Sequence, residues 1–257
     1  MRPRSRTICS SRRAFTLVEI LCVAGIISIL AAVVTPVLTR AKSTSKISGC
    51  QSNLHQLSCG FQAYLADWND TYPCTDYLKD DKGNAIDPYL WMGRFWRWVL
   101  KKQIALGTFR DPDDPNNPKK SVGSRRTILL CPADVEASAK WDGTSYAYSA
   151  AFYHTPDQIN SVTTDQLWNT SAPGPPCMPQ KVSGVLWPSK KALMGEWVTN
   201  HSQERKTWWD PLPQGARNYA FADGHVAFVP ASRIGPTVSG LPDVNLTRDG
   251  IRGRDVQ

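Results

Sequence analysis

Histidine is scarce in this chain of 257 residues. There are four, His55, His154, His201 and His225, none at the spacing of a metal site, and no Cys-x-x-Cys occurs. Zinc-finger and thioredoxin-like readings therefore find no footing. Ser43-Thr44-Ser45-Lys46 has the Ser-x-x-Lys spacing of some acyl-transfer enzymes, yet no partner motif accompanies it. No catalytic constellation emerges, and the chain reads as a non-enzyme. Acidic residues are absent from Met1 to Ala14, which carries Arg2, Arg4, Arg6, Arg12 and Arg13. Removing those five from the formal charge of +8 leaves +3, too little and too scattered to argue for a nucleic-acid partner.

Charge is also missing from Ala14 to Thr39, with Glu19 as the one exception. Phe15 to Pro36 is a nearly unbroken apolar run of about 22 residues, hence about 33 Å of helix against a hydrocarbon core of about 30 Å. It reads as a membrane helix, and its apolar part is too long for an ordinary secretory signal. The arginines before it outnumber and out-cluster Arg40, Lys42 and Lys46 behind it. Positive charge flanking a membrane helix stays in the cytoplasm, so the expected topology is single-pass, amino terminus inside, large domain outside. A carboxylate inside a membrane helix is kept where it finds a partner. Otherwise Glu19 reaches the headgroup layer and profits from the helix dipole.

Arg12-Arg13 followed by Ala14-Phe15-Thr16-Leu17-Val18-Glu19 and the apolar run resembles the prepilin motif of type IV pilins and type II secretion pseudopilins. The resemblance implies a cut by a membrane prepilin peptidase between Ala14 and Phe15 and methylation of the new Phe15 amino group. It also implies that Glu19 is the assembly carboxylate, pairing with the Phe15 amino group of a neighbouring subunit. Ala14 stands where the family usually has Gly, a small side chain in either case. The expected organisation is a leader over residues 1–14, the transmembrane half of the first helix over 15–38, and an ectodomain over 39–257. Pro36 falls where pilin-like proteins carry a Pro in their long first helix.

Beyond Pro36 helical spacing continues to Asp67, with Ile47, Cys50, Leu54, Leu57, Phe61, Tyr64, Leu65 and Trp68 at steps of three and four. Ser52, Asn53 and Gln56 fall on the opposite face, so this half is expected to lie against a core. Asn69, Asp70 and Pro73 end it. In Trp91 to Leu100, the spacing predicts a helix burying Trp91, Phe95, Trp98 and Val99 and exposing Arg94 and Arg97. Arg110 to Lys120 is a Pro-rich surface loop. Major pseudopilins hold calcium in an acidic loop, which makes Asp111, Asp113 and Asp114 a possible calcium site, although three prolines resist wrapping an ion. No other cofactor is expected.

The remainder turns to strands: Ile128 to Asp134, Ser145 to Ser149, Ala192 to Val198, and a hairpin over Asn218 to Val229 centred on Asp223-Gly224. A two-residue type I′ turn pairs Ala222 with His225, Phe221 with Val226 and Tyr219 with Phe228. The Cys131-Pro-x-Asp134 step and this hairpin are similar to those of a bacterial group of pilin-like proteins. Their motif places a His where this chain has Pro213. Cys50, Cys59, Cys74, Cys131 and Cys177 lie beyond the membrane segment, and Cys50 and Cys59 are too far apart along one helix to pair.

The fold expected is α+β and pilin-like, a long amino-terminal helix, transmembrane and then amphipathic, packed on an antiparallel sheet. The function expected is a structural subunit of a type II secretion-like or type IV pilus-like filament in the inner (cytoplasmic) membrane, with its ectodomain periplasmic or extracellular. Its partners would be the peptidase, other pilin-like subunits and the membrane. The alternative is a membrane-tethered glycan-binding module, suggested by ten tryptophans and especially Trp208-Trp209.

Overall fold

The computed structural model describes residues 16–74, 96–104, 127–134, 144–163, 166, 174–202 and 215–257. Helix α1 runs Leu17–Asp67 with Pro36 inside it. The chain divides into two compact units, Met1–Thr44 and Ser45–Gln257. In the first, the described residues after Thr16 are helical, and every side chain from Thr16 to Thr44 is exposed. The hydroxyls of Ser28, Thr35 and Thr39 each donate to the carbonyl four residues earlier, at 2.7–2.9 Å. Polar groups in the apolar stretch are thus satisfied within the helix itself, as a hydrocarbon surrounding demands.

In the second unit the end of α1 carries one buried face, Cys50, Leu54, Leu57, Phe61, Tyr64 and Leu65. Two expectations fail here. Trp68 lies past the helix end and is exposed, stacked on Tyr64 at 5.3 Å. Asn53, expected to face outward, is half-buried and donates to the Leu130 carbonyl and the Tyr146 hydroxyl. The chain leaves the helix through Asn69 and Asp70, at φ 51° and 54°, left-handed conformations that these two residue types tolerate. Gly60 lets another segment approach, since a Cβ there would lie 2.1 Å from Ile104 Cγ2.

Helix α2, Trp96–Leu100, packs on this face, with Phe61 stacked against Trp96 at 6.2 Å. Arg97 is fully buried, against the expectation that it faces solvent. This helix turns Trp96, Arg97 and Leu100 inward, a face rotated from the predicted one. Residues 91–95 lie outside the described residues.

Among the described residues four strands form an antiparallel meander in the order β1 (Tyr146–Tyr148), β2 (Ala192–Glu196), β3 (Ala216–Phe221) and β4 (Val226–Pro230). Ile128 to Asp134 is no strand. It is a 3-10 turn over Thr127–Leu129 followed by a tight turn closed by the Asp134 N–H on the Cys131 carbonyl, because Pro132 cannot donate to a ladder. Between β1 and β2, helix α3, Pro156–Asn160, starts with a capping box in which Thr155 and Gln158 satisfy each other's backbone N–H.

Both faces of the sheet are covered. One turns Tyr148, Met194 and Ala220 to the main core that α1 closes, where Phe61 meets Tyr148 at 4.9 Å. The other packs Ala192, Tyr219, Phe221 and Val229 beneath Ile234, Val244 and Val256 of the carboxy-terminal segment. Gly195 makes room for the Tyr219 ring, since a Cβ there would lie 2.3 Å from Cδ1. The segment is locked by a buried ion pair, Lys191 Nζ to Asp255 Oδ1 at 2.6 Å. Asp255 also accepts from the Ala192 N–H and the Thr247 hydroxyl. Nearby, burial pushes the Asp243 carboxyl up to about 6, although it accepts from Asn245 through both backbone and side chain.

The hairpin exists, but its register differs by one residue from the expectation. Ala220 pairs with Val226, Tyr219 with Ala227 and Asn218 with Phe228. Phe221 N–H donates to His225 O and Gly224 N–H to Phe221 O, so the loop has three residues, Ala222 to Gly224, and Gly224 alone of these takes positive φ, 92°. This is a type I turn closed by a left-handed Gly, in place of the two-residue type I′ turn. The shift puts Ala220 and Val226 on the core side and Phe221 and Tyr219 on the other, which fits both covers.

Candidate functional site

At the amino-terminal end, Thr16 immediately precedes the first helical residue and Glu19 follows three residues later. The Thr16 hydroxyl accepts from the Glu19 N–H at 3.3 Å, and Glu19 Oε2 accepts from the Thr16 N–H and hydroxyl, both at 2.8 Å. This reciprocal capping box satisfies donors that a helix start leaves unpaired. The Thr-x-x-Glu signature was present in the sequence and gives Glu19 a partner in its own chain. Ala14 and Phe15 lie outside the described residues. From Leu17 through Leu38 the helix shows apolar side chains on all sides, and its length and composition suffice to cross a membrane once.

The second cluster lies in the unit Ser45–Gln257. Cys50 of α1 forms a disulfide with Cys131, which rules out Cys50 to Cys59 pairing. Cys131 sits in its turn because its N–H donates to Ser145 Oγ at 2.9 Å. His201 Nε2 approaches Cys131 Sγ at 3.4 Å and Glu196 Oε1 at 3.2 Å. Glu196 closes β2 and is wholly buried. Its Oε2 accepts from the Asn218 backbone and side chain at 2.7 and 3.0 Å, and its Oε1 from Asn200 Nδ2 at 3.3 Å. An anion so buried is tolerated because donors surround it. Sequence spacing found no metal-ligand pattern among the histidines. The tertiary structure nevertheless gathers Cys50, Cys131, Glu196 and His201, with ligand atoms all within 4.8 Å of one another. Separations of 81 and 65 residues hide such a group from any local pattern.

His225, read from the sequence as a hairpin residue, is one. Its Nδ1 lies 2.6 Å from Asp223 Oδ1, and its ring stacks on Phe221 at 4.3 Å. The possible calcium residues Asp111, Asp113 and Asp114, and the Trp208-Trp209 pair behind the glycan reading, lie outside the described residues. Of the other tryptophans, Trp96 and Trp197 are buried, and Arg254 covers the exposed Trp187 ring at 3.6 Å.

Among known families, the prokaryotic N-terminal methylation motif matches residues 9–35. None of the curated proteins and no solved structure matches the chain. The matched segment contains Ala14, Phe15 and Glu19 and gives the amino terminus the character of a prepilin-type precursor. It ends far before Asp223-Gly224, so the kinship expected from that hairpin gains nothing from it.

Proposed function

We propose that the chain is a structural subunit of a pilin-like filament of the type II secretion or type IV pilus kind. A membrane prepilin peptidase cuts between Ala14 and Phe15 and methylates Phe15. The chain then sits in the inner membrane by one helix, amino terminus cytoplasmic and ectodomain outside. Glu19 accepts the Phe15 ammonium of a neighbouring subunit during assembly. The observation that carries this reading is the methylation motif over residues 9–35 running directly into a capped, apolar helix. The cut leaves Thr16 and Glu19 together, so the capping box persists in the mature chain. The arrangement also supports a structural role in preference to catalysis, since the features that stand out at the amino terminus serve processing and insertion.

Intact-mass measurement of protein extracted from a membrane with an active prepilin peptidase tests this. The expected mass lacks Met1 to Ala14 and gains one methyl group. A retained leader would overturn the proposal.

A further inference from the structure

We propose that the reduced protein binds a zinc ion through Cys50, Cys131, His201 and Glu196, and that the Cys50–Cys131 disulfide is the closed form of the same site. This stands apart from the filament reading and rests on the ectodomain alone. Four donors of the types zinc takes, two sulfurs, an imidazole and a carboxylate, converge within 4.8 Å. Zinc bonds of about 2.3 Å to sulfur and about 2.0–2.1 Å to nitrogen and oxygen, at the tetrahedral angle, place sulfur about 3.6 Å and oxygen about 3.3 Å from nitrogen. The observed Cys131 Sγ to His201 Nε2 and Glu196 Oε1 to His201 Nε2 separations are 3.4 and 3.2 Å. Forming the site requires cleavage of the S–S bond, separation of the two sulfurs to about 3.8 Å, and closure of the widest donor pairs, which lie within 4.8 Å, to tetrahedral spacing.

The arrangement differs from an acid–base relay in which the carboxylate orients the far nitrogen of the ring. Here sulfur and carboxylate oxygen both address Nε2. That convergence suits a common centre. Asn218 holds Glu196 Oε2 through two hydrogen bonds, so Oε1 is presented in a fixed direction, as outer partners fix a metal ligand. The Ala133 N–H points at Cys131 Sγ at 3.4 Å, a donor suited to a thiolate. Glu196 is wholly buried and the His201 side chain is 2% exposed, so a bound cation would sit out of water with a carboxylate it compensates.

In the reaction a phosphine reductant breaks the disulfide, takes an oxygen atom from water and becomes a phosphine oxide, while each sulfur receives one proton. Zinc then displaces both thiol protons to solvent.

The test uses the full chain in detergent, reduced with a phosphine, incubated with zinc chloride, desalted and analysed by elemental mass spectrometry. About one zinc per chain is expected after reduction and none in the oxidised protein. Cobalt in place of zinc should give a thiolate-to-cobalt charge-transfer band and the intense visible bands of a tetrahedral ion, a readout needing no variant. His201→Ala should weaken zinc binding at least about tenfold. A reduced chain that takes up no metal, folded or not, overturns the proposal. So does cobalt uptake without the thiolate band, or zinc affinity unchanged in His201→Ala.

Discussion

Removing the Cys50–Cys131 disulfide by the double substitution Cys50→Ala and Cys131→Ala tests how the end of α1 is fixed to the main core of the unit Ser45–Gln257. The bridge spans 81 residues of sequence. In the chain-entropy account, closing a loop of that size removes about 15 cal/mol/K from the unfolded chain, or about 4.5 kcal/mol at 25 °C. Both sulfurs are buried in the main core, so alanine also loses a little apolar packing there. For a domain of this size each kcal/mol shifts the midpoint by about 2–4 °C, so the variant should melt about 9–18 °C below the parent. The assay is a thermal melt of full-length protein in detergent, without reductant and with a chelator, so that neither thiol exchange nor metal contributes. Cys59→Ala, on the exposed face of the same helix, is the control and should leave the melt unchanged. A double variant that melts with the control would show that the bridge does not restrain the unfolded chain.

Glu19→Ala should leave the chain processed and inserted but absent from the assembled filament, checked by co-purification with a tagged subunit. Normal co-assembly would reduce Glu19 to its capping contact with Thr16. Gly224→Val places a β-branched residue at φ 92° and should cost about 1–3 kcal/mol in a denaturant titration. His225→Ala, at an exposed position, should move the melt far less. Asp243 binds its proton more tightly folded, at about 6, than unfolded, at 3.8. Between those values the folded state holds more protons, so this group makes stability fall as pH rises, by roughly 3 kcal/mol in all. Asp243→Asn should remove that slope from melts taken between pH 4 and 7, and an unchanged slope would contradict the burial argument.

The existence and extent of helix α1 are written in the sequence. An apolar run, a cap three residues before Glu19, and a period of three and four from Cys50 to Leu65 are local patterns, and a helix forms from local hydrogen bonds. The existence of β1, β2 and the hairpin was legible for the same reason, from short alternating runs and a turn dipeptide. Tertiary packing decided the rest. The hairpin took a three-residue loop because Ala220 and Val226 had to face α1 while Tyr219 and Phe221 slid beneath Ile234 and Val244, and no local rule knows that the sheet is covered twice. Arg97 went inside because α2 turns the face of Trp96, Arg97 and Leu100 to the core, an orientation that packing on α1 decides. Cys50, Cys131, Glu196 and His201 met because a helix, a turn, a strand end and a loop were brought together by the core between them. Donors that far apart in sequence share no periodicity, so their chemistry exists only once the chain has folded.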